Sequence, residues 1–228
     1  MGSILSRSLR SYTIPGAALC AAAFLTWATA SLGQPTPERG QQIAVGGGPG
    51  GAGVACFSCH GLQGQGDAGA AFPRLAGLDA IYLAKQMHDY ASGSRPNAAM
   101  SPIARQLGPP DHQSIALYYA ELPPQAPPVR ATPADGSLVQ WGAVLYAQGS
   151  AERGIQACAN CHGPGGRGLN RVYPSIAAQP GAYVDAQLRA WQAGQRHNDI
   201  HGVMGSVAQR MTDEDIRAVS AYLAGLAP

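Results

Sequence analysis

Apolar residues in this chain recur at intervals of three and four rather than two. After Asp79, the residues Ile81, Tyr82, Leu83, Met87 and Tyr90 form one such stripe, and residues 181–193 repeat it through Tyr183, Val184, Leu188 and Trp191. Thr36 followed by Pro37 opens a helix over 37–46, and Asp135 ahead of the run LVQWGAVLY opens its counterpart. Asp111 is read as the cap of a helix through Leu122. Thr212-Asp213-Glu214-Asp215 reads as a capping box, with Asp in the Glu position, before a helix ending near Leu226. No alternating run is long enough for a sheet, so the pattern predicts an all-α chain of short helices separated by Gly/Pro loops.

The N-terminus follows a different pattern. Arg7 and Arg10 precede an uncharged apolar stretch over 17–30 that ends in Ala28-Thr29-Ala30, the layout of a secretory signal. The run is under eighteen residues and Gln34, Pro35 and Pro37 follow it, which favours a cleaved signal peptide over 1–30 rather than a retained anchor. Export to the periplasm is the expectation.

The chain repeats itself. Cys56-Phe57-Ser58-Cys59-His60-Gly61 recurs as Cys158-Ala159-Asn160-Cys161-His162-Gly163 at an offset of 102. Tyr82, Gln86, Gly93 and Arg95 then align with Tyr183, Gln187, Gly194 and Arg196 at an offset of 101, as Pro73 does with Pro174. Five prolines between Leu122 and Pro133 block both helix and central strand and predict a stiff spacer. The expected organisation is domain 1 over 36–122, a Pro-rich linker over 123–133 and domain 2 over 134–228.

Composition sharpens this picture in two places. Only 7% of the residues are aromatic, so a protein-only core in units of this size would be thin. Loss of Arg7 and Arg10 with the signal leaves as many acidic as basic side chains, so the formal charge of +2 belongs to the leader. Lys85 is the only lysine and no basic block exists, which excludes a nucleic-acid footprint.

The cysteines carry the chemistry. Of five, Cys20 lies in the leader, and Cys56, Cys59, Cys158 and Cys161 form two Cys-x-x-Cys pairs, each followed directly by His60 or His162. On a helical turn, positions i, i+3 and i+4 share a face. Two thiols can then add to the vinyl groups of a haem while the histidine reaches its iron, which is why Cys-x-x-Cys-His marks covalent haem c attachment. A zinc site fits worse, because Cys59 and Cys158 are 99 positions apart across a proline spacer. A thioredoxin-type pair lacks its βαβ context, and vicinal disulfides would leave both histidines unexplained.

The order Cys-x-x-Cys-His-Gly, Gly-rich loop, Pro73-Arg74-Leu75-Ala76-Gly77, Tyr-Leu-x-x-Gln, Gly-x-Arg, then Met and a final helix resembles the dihaem class I cytochromes c of the c4 type, over the whole chain after its leader. Domain 2 departs at Pro174-Ser175-Ile176-Ala177-Ala178, where the Leu-Ala-Gly triplet is lost. The resemblance implies two tandem cytochrome c class I-like helical domains, each wrapped around one covalent haem c whose iron takes a methionine sulfur opposite the histidine. Met100 is the choice in domain 1, because Met87 falls on the apolar stripe and aligns with Leu188. Counting back from the closing helices at an offset of 104 pairs Met100 with Met204 and Leu107 with Met211, making Met204 the ligand and Met211 packing. His201 is the rival in domain 2, in a loop three residues longer than its counterpart. In similar proteins, carbonyls at the positions of Pro73 and Pro174 accept the ring N–H of the ligand histidine. Arg95 and Arg196 suit haem propionates and ordinary surface ion pairs equally. His88 and His112 are expected on solvated helix faces.

A filled sixth position leaves none for substrate, so the expected role is an electron carrier rather than an enzyme. Its donor would be a quinol-oxidising complex or a dehydrogenase and its acceptor a terminal oxidase or reductase, with membrane contact only through those partners. Two other readings stand beside it: an electron-transfer subunit of a membrane-associated dehydrogenase complex, and a haem enzyme, peroxidase or thiosulfate-oxidising, with an open or His-ligated iron.

Overall fold

The computed structural model describes residues 34–48, 53–128, 135–169 and 171–228; the expected signal peptide over 1–30 and the later part of the Pro-rich linker lie outside them. Thr36 caps α1 (Pro37–Gly46) by accepting the Arg39 amide at 3.2 Å. The single turn α2 (Phe57–His60) follows, then α3 (Ala80–Ser92), capped by Asp79 through the Ile81 and Tyr82 amides, α4 (Met100–Arg105) and α5 (Pro109–Glu121). The order then repeats: α6 (Gly136–Gln148) capped by Asp135, α7 (Ala159–His162), α8 (Gly181–Gln192), α9 (Val203–Ala208) and α10 (Asp213–Ala224). The capping box at Thr212 and Asp215 is formed in both directions. Among the described residues the β content is three isolated bridges, and no helix is long and apolar enough to cross a membrane.

One helix start differs from the sequence reading. α5 begins at Pro109 with Gly108 as its cap, and Asp111 lies inside the first turn. Its carboxylate accepts from Arg39 Nε at 2.9 Å instead, tying α1 to α5. A tertiary partner has taken the side chain that sequence alone assigns to a local cap.

Each half is built on a crossing of its first and last helices. At the crossing of α1 with α5, a Cβ on Gly40 would lie 2.1 Å from the Ser114 carbonyl oxygen, and one on Gly142 in α6 would lie 2.1 Å from that of Ala218 in α10. Neither backbone oxygen can move without dragging its helix. Gly142→Ala is therefore expected to destabilise domain 2 by about 1–3 kcal/mol, the usual cost of overpacking. At an open helical site the same change would stabilise by up to about 1 kcal/mol. The sign of the shift in thermal unfolding separates the two cases.

The halves meet through side chains at matching positions. Arg95 donates to Gln86 Oε1 and Gln187 Oε1, both at 2.7 Å, and Arg196 donates to the same two oxygens at 3.3 and 2.8 Å. Arg74 lies beside its own counterpart Ser175, whose Oγ it reaches at 3.1 Å, and donates to the carbonyls of both Ala76 and Ala177. These pairings define an approximate two-fold axis running between the halves. The linker is thus not the sole connection, and its first part turns back onto domain 1, with Pro124 packed at Gly77.

Candidate functional site

In each domain the Cys-x-x-Cys-His segment forms one helical turn closed by the histidine amide, which donates to Cys56 O at 2.9 Å in α2 and to Cys158 O at 2.8 Å in α7. Cys56 packs against the domain 1 core and Cys158 against that of domain 2. Burial pushes both thiols up, Cys158 to about 11.

His60 and His162 are buried. Their Nδ1 atoms lie 2.9 Å from the carbonyl oxygens of Pro73 and Pro174. A carbonyl can only accept, so Nδ1 carries the proton in both rings and Nε2 is left with its lone pair. Burial lowers the pKa of both imidazoles, favouring the neutral form that binds iron.

Sequence reading missed the glycine behind each histidine. Gly66 donates to His60 O and Gly168 to His162 O, both at 2.8 Å, from φ of 81° and 87°. A Cβ at Gly66 would lie 2.6 Å from Phe72 O and 2.7 Å from the Arg74 nitrogen; at Gly168 it would lie 2.7 Å from Tyr173 O. Only glycine lets the peptide that grips the imidazole come this close. The repeated His-x5-Gly spacing was the available signal.

The methionines open matched short helices. Met100 is the first residue of α4, its amide held at 2.8 Å by Asn97 Oδ1; Met204 is the second residue of α9, its amide held at 2.8 Å by Asp199 Oδ2. The longer domain 2 loop is taken up by a 3-10 turn over Ile200–Gly202, where His201 has φ 56° and is exposed. Met204 instead packs against the domain 2 core. Met87 packs against the domain 1 core and Met211 is buried in that of domain 2. His112 corrects the sequence expectation: it is buried, with Nε2 2.9 Å from Ala104 O, whereas His88 is exposed as expected.

Three guanidinium groups test the fit of a haem. Arg74, Arg95 and Arg196 are 0%, 4% and 7% exposed, so none makes a surface ion pair. None has a carboxylate partner among the described residues. Arg74 Nε has no hydrogen-bond partner, and burial brings its pKa down to about 10. Buried cations call for anions, and the propionates of two haems would supply them. With the thiols and imidazoles on their turns, the residues present fit haem c in both domains.

Residues 38–122 and 140–227 each match the family model for cytochrome c. The chain belongs to the cytochrome c family. This cytochrome c is 37% identical over 194 residues to cytochrome c4 of Thiocapsa roseopersicina, covering 83% of the chain and 92% of that protein. It is a dihaem protein of that type, with two covalently bound haem c groups and an electron-transfer function. It is also 41% identical over 187 residues to the thiosulfate dehydrogenase electron acceptor of Stutzerimonas stutzeri (strain A1501), covering 82% of the chain and 86% of the relative. A solved structure of a thiosulfate dehydrogenase from Marichromatium purpuratum superimposes with a TM-score of 0.78 at 41% identity. The match takes in 84% of this cytochrome c and 40% of that longer chain. In domain 2, Ala178 adopts φ 52° where domain 1 has Gly77 at 71°, and both amides donate at 2.9 Å to the closing helix, to Leu223 O and Tyr119 O. The lost Leu-Ala-Gly triplet therefore leaves the backbone path unchanged.

Proposed function

We propose that this cytochrome c is an exported electron carrier, not itself an enzyme, that accepts electrons from a thiosulfate-oxidising dehydrogenase and passes them to a terminal oxidase or reductase. The observation that carries the proposal is the matched pair of donor sets, a tautomer-locked imidazole and a half-buried methionine in each domain. Haem c would supply an iron that changes charge by one electron without binding substrate. Cys56, Cys59, Cys158 and Cys161 hold the two groups by thioether bonds. His60 and His162 bind iron through Nε2, kept in orientation by Pro73 and Pro174. Met100 and Met204 would each give the iron of their domain a thioether sulfur, a soft donor that would favour the ferrous state. Burial of Met204 against the core, beside an exposed His201, supports the methionine.

The thiosulfate link rests on the name of the 41% identical relative. The chain incubated with thiosulfate and a purified thiosulfate dehydrogenase is expected to take up two electrons, and to stay oxidised when the dehydrogenase is omitted. Reduction by thiosulfate alone would sink the carrier reading, and failure to be reduced by the dehydrogenase would sink the choice of donor. Working as a docked subunit is favoured by one observation: in the M. purpuratum dehydrogenase the matching region is part of a longer chain.

A further inference from the structure

We infer that Gln179, a side chain of domain 2, tunes the reduction potential of the domain 1 haem through the peptide group that holds His60. The inference rests on His60 being the domain 1 iron ligand. Gln179 is 4% exposed and grips Arg74 on both sides, its Oε1 accepting from the Arg74 amide at 3.0 Å and its Nε2 donating to the Arg74 carbonyl at 2.9 Å. The two contacts fix the orientation of the side-chain amide, since exchanging its ends would break both.

The peptide between Pro73 and Arg74 is therefore engaged at both ends. Its carbonyl accepts His60 Nδ1–H at 2.9 Å, and its N–H donates to Gln179 Oε1. Hydrogen bonds in series through one amide polarise each other. By drawing the Arg74 amide proton toward itself, Gln179 Oε1 leaves more density on the amide nitrogen and, through resonance, on the Pro73 oxygen. That oxygen becomes a stronger acceptor and the imidazole more basic at Nε2, and a more basic ligand favours ferric iron. Arg74 clamps the arrangement by binding the carbonyl of Ala177 at 3.0 Å and Ser175 Oγ at 3.1 Å.

Among the described residues, domain 2 shows no equivalent relay. His162 bonds to Pro174 O at the same 2.9 Å, but the position matching Gln179 is Leu78, which has no side-chain amide to offer. The peptides that hold the two histidines thus differ in a polar contact made across the domain boundary and acting on one of them.

The test uses the full dihaem protein with Gln179→Met and Gln179→Glu. Both one-electron waves are followed by spectropotentiometry and assigned by NMR through the ring neighbours of the two ligands, Phe72 for His60 and Tyr173 for His162. Gln179→Met is expected to shift the domain 1 equilibrium about threefold toward the ferrous form, close to 28 mV at 59 mV per tenfold for one electron, with domain 2 unmoved. Gln179→Glu keeps an acceptor for the Arg74 amide and is expected to hold the domain 1 potential at or below its starting value. An unmoved domain 1 wave in Gln179→Met, equal shifts in both domains, or the same rise in both variants would overturn the relay. His60→Ala separates the underlying assignment: if it leaves the domain 1 spectrum intact, His60 is not the ligand and the reading beneath the relay has failed.

Discussion

Met204→Ala is expected to let carbon monoxide bind the reduced protein at neutral pH, one molecule per chain, where the parent protein binds none. Removing the thioether deletes a soft donor from the start of α9, and the rival His201 is exposed, in a left-handed conformation. The domain 2 potential is expected to fall, because methionine favours ferrous iron over the water that would enter. His201→Ala is the matched control and is expected to leave the spectrum, both potentials and carbon monoxide binding unchanged. If His201→Ala opens the site and Met204→Ala does not, the ligand assignment in domain 2 is reversed.

Asp215→Ala is expected to cost domain 2 about 3 kcal/mol. The carboxylate is 1% exposed and accepts from Trp141 Nε1 at 2.9 Å, from the Thr212 amide at 2.8 Å and from the guanidinium of Arg153. It joins α6 to α10 and caps α10 at once. Neutral hydrogen bonds contribute about 1 kcal/mol each and charge-assisted ones about 1.5–3. Arg153 is half-exposed and can turn to water, so the loss stays below that of a sealed ion pair. Burial alone would push the Asp215 pKa up, but Arg153, Thr212 and Trp141 together bring it below the usual carboxylate range. Its contribution is then complete above the unfolded value near pH 4 and is lost as pH falls through the lower folded value. Thermal melts of the parent and Asp215→Asn are expected to differ fully at neutral pH, to begin drawing together below about pH 4 and to converge as pH falls through the lower folded value. A constant gap down to pH 2 would remove the carboxylate from the account.

Elements whose signal is local were legible in the sequence. Thr36, Asp79, Asp135 and Thr212 cap helices as expected, because a side-chain oxygen two or three residues from a free amide needs no other partner. The Cys-x-x-Cys-His turns were legible for the same reason, doubled by the repeat, whereas the proline carbonyls, 13 and 12 residues from their histidines, were expected from the family resemblance. What stayed hidden depends on contacts far apart in the chain. Asp111 has the chemistry of a cap, and only the fold brings Arg39 to it. His112 lies on a helix whose polar and apolar residues are poorly segregated, so periodicity could not foresee its burial against Ala104. Arg95 and Arg196 recur at matched positions, but nothing local tells a buried guanidinium from a solvated one. Gln179 stands opposite Leu78 in the repeat, so a comparison of halves that looks for matching residues passed over it.

The shared gripping of Gln86 and Gln187 by Arg95 and Arg196 has a consequence for origin. Each half presents the other with the same patch, the arrangement by which two identical subunits close into a dimer. Fusing the copies turns that association into an intramolecular one, at an effective concentration on the order of millimolar for a short linker, so pairing no longer depends on how much protein is made. Fusion also permits what identical subunits cannot: one copy keeps Arg74 at the axis, the other has Ser175, and a residue such as Gln179 can act on a single partner. Duplication here joined two redox centres and, in the same step, made it possible for them to differ.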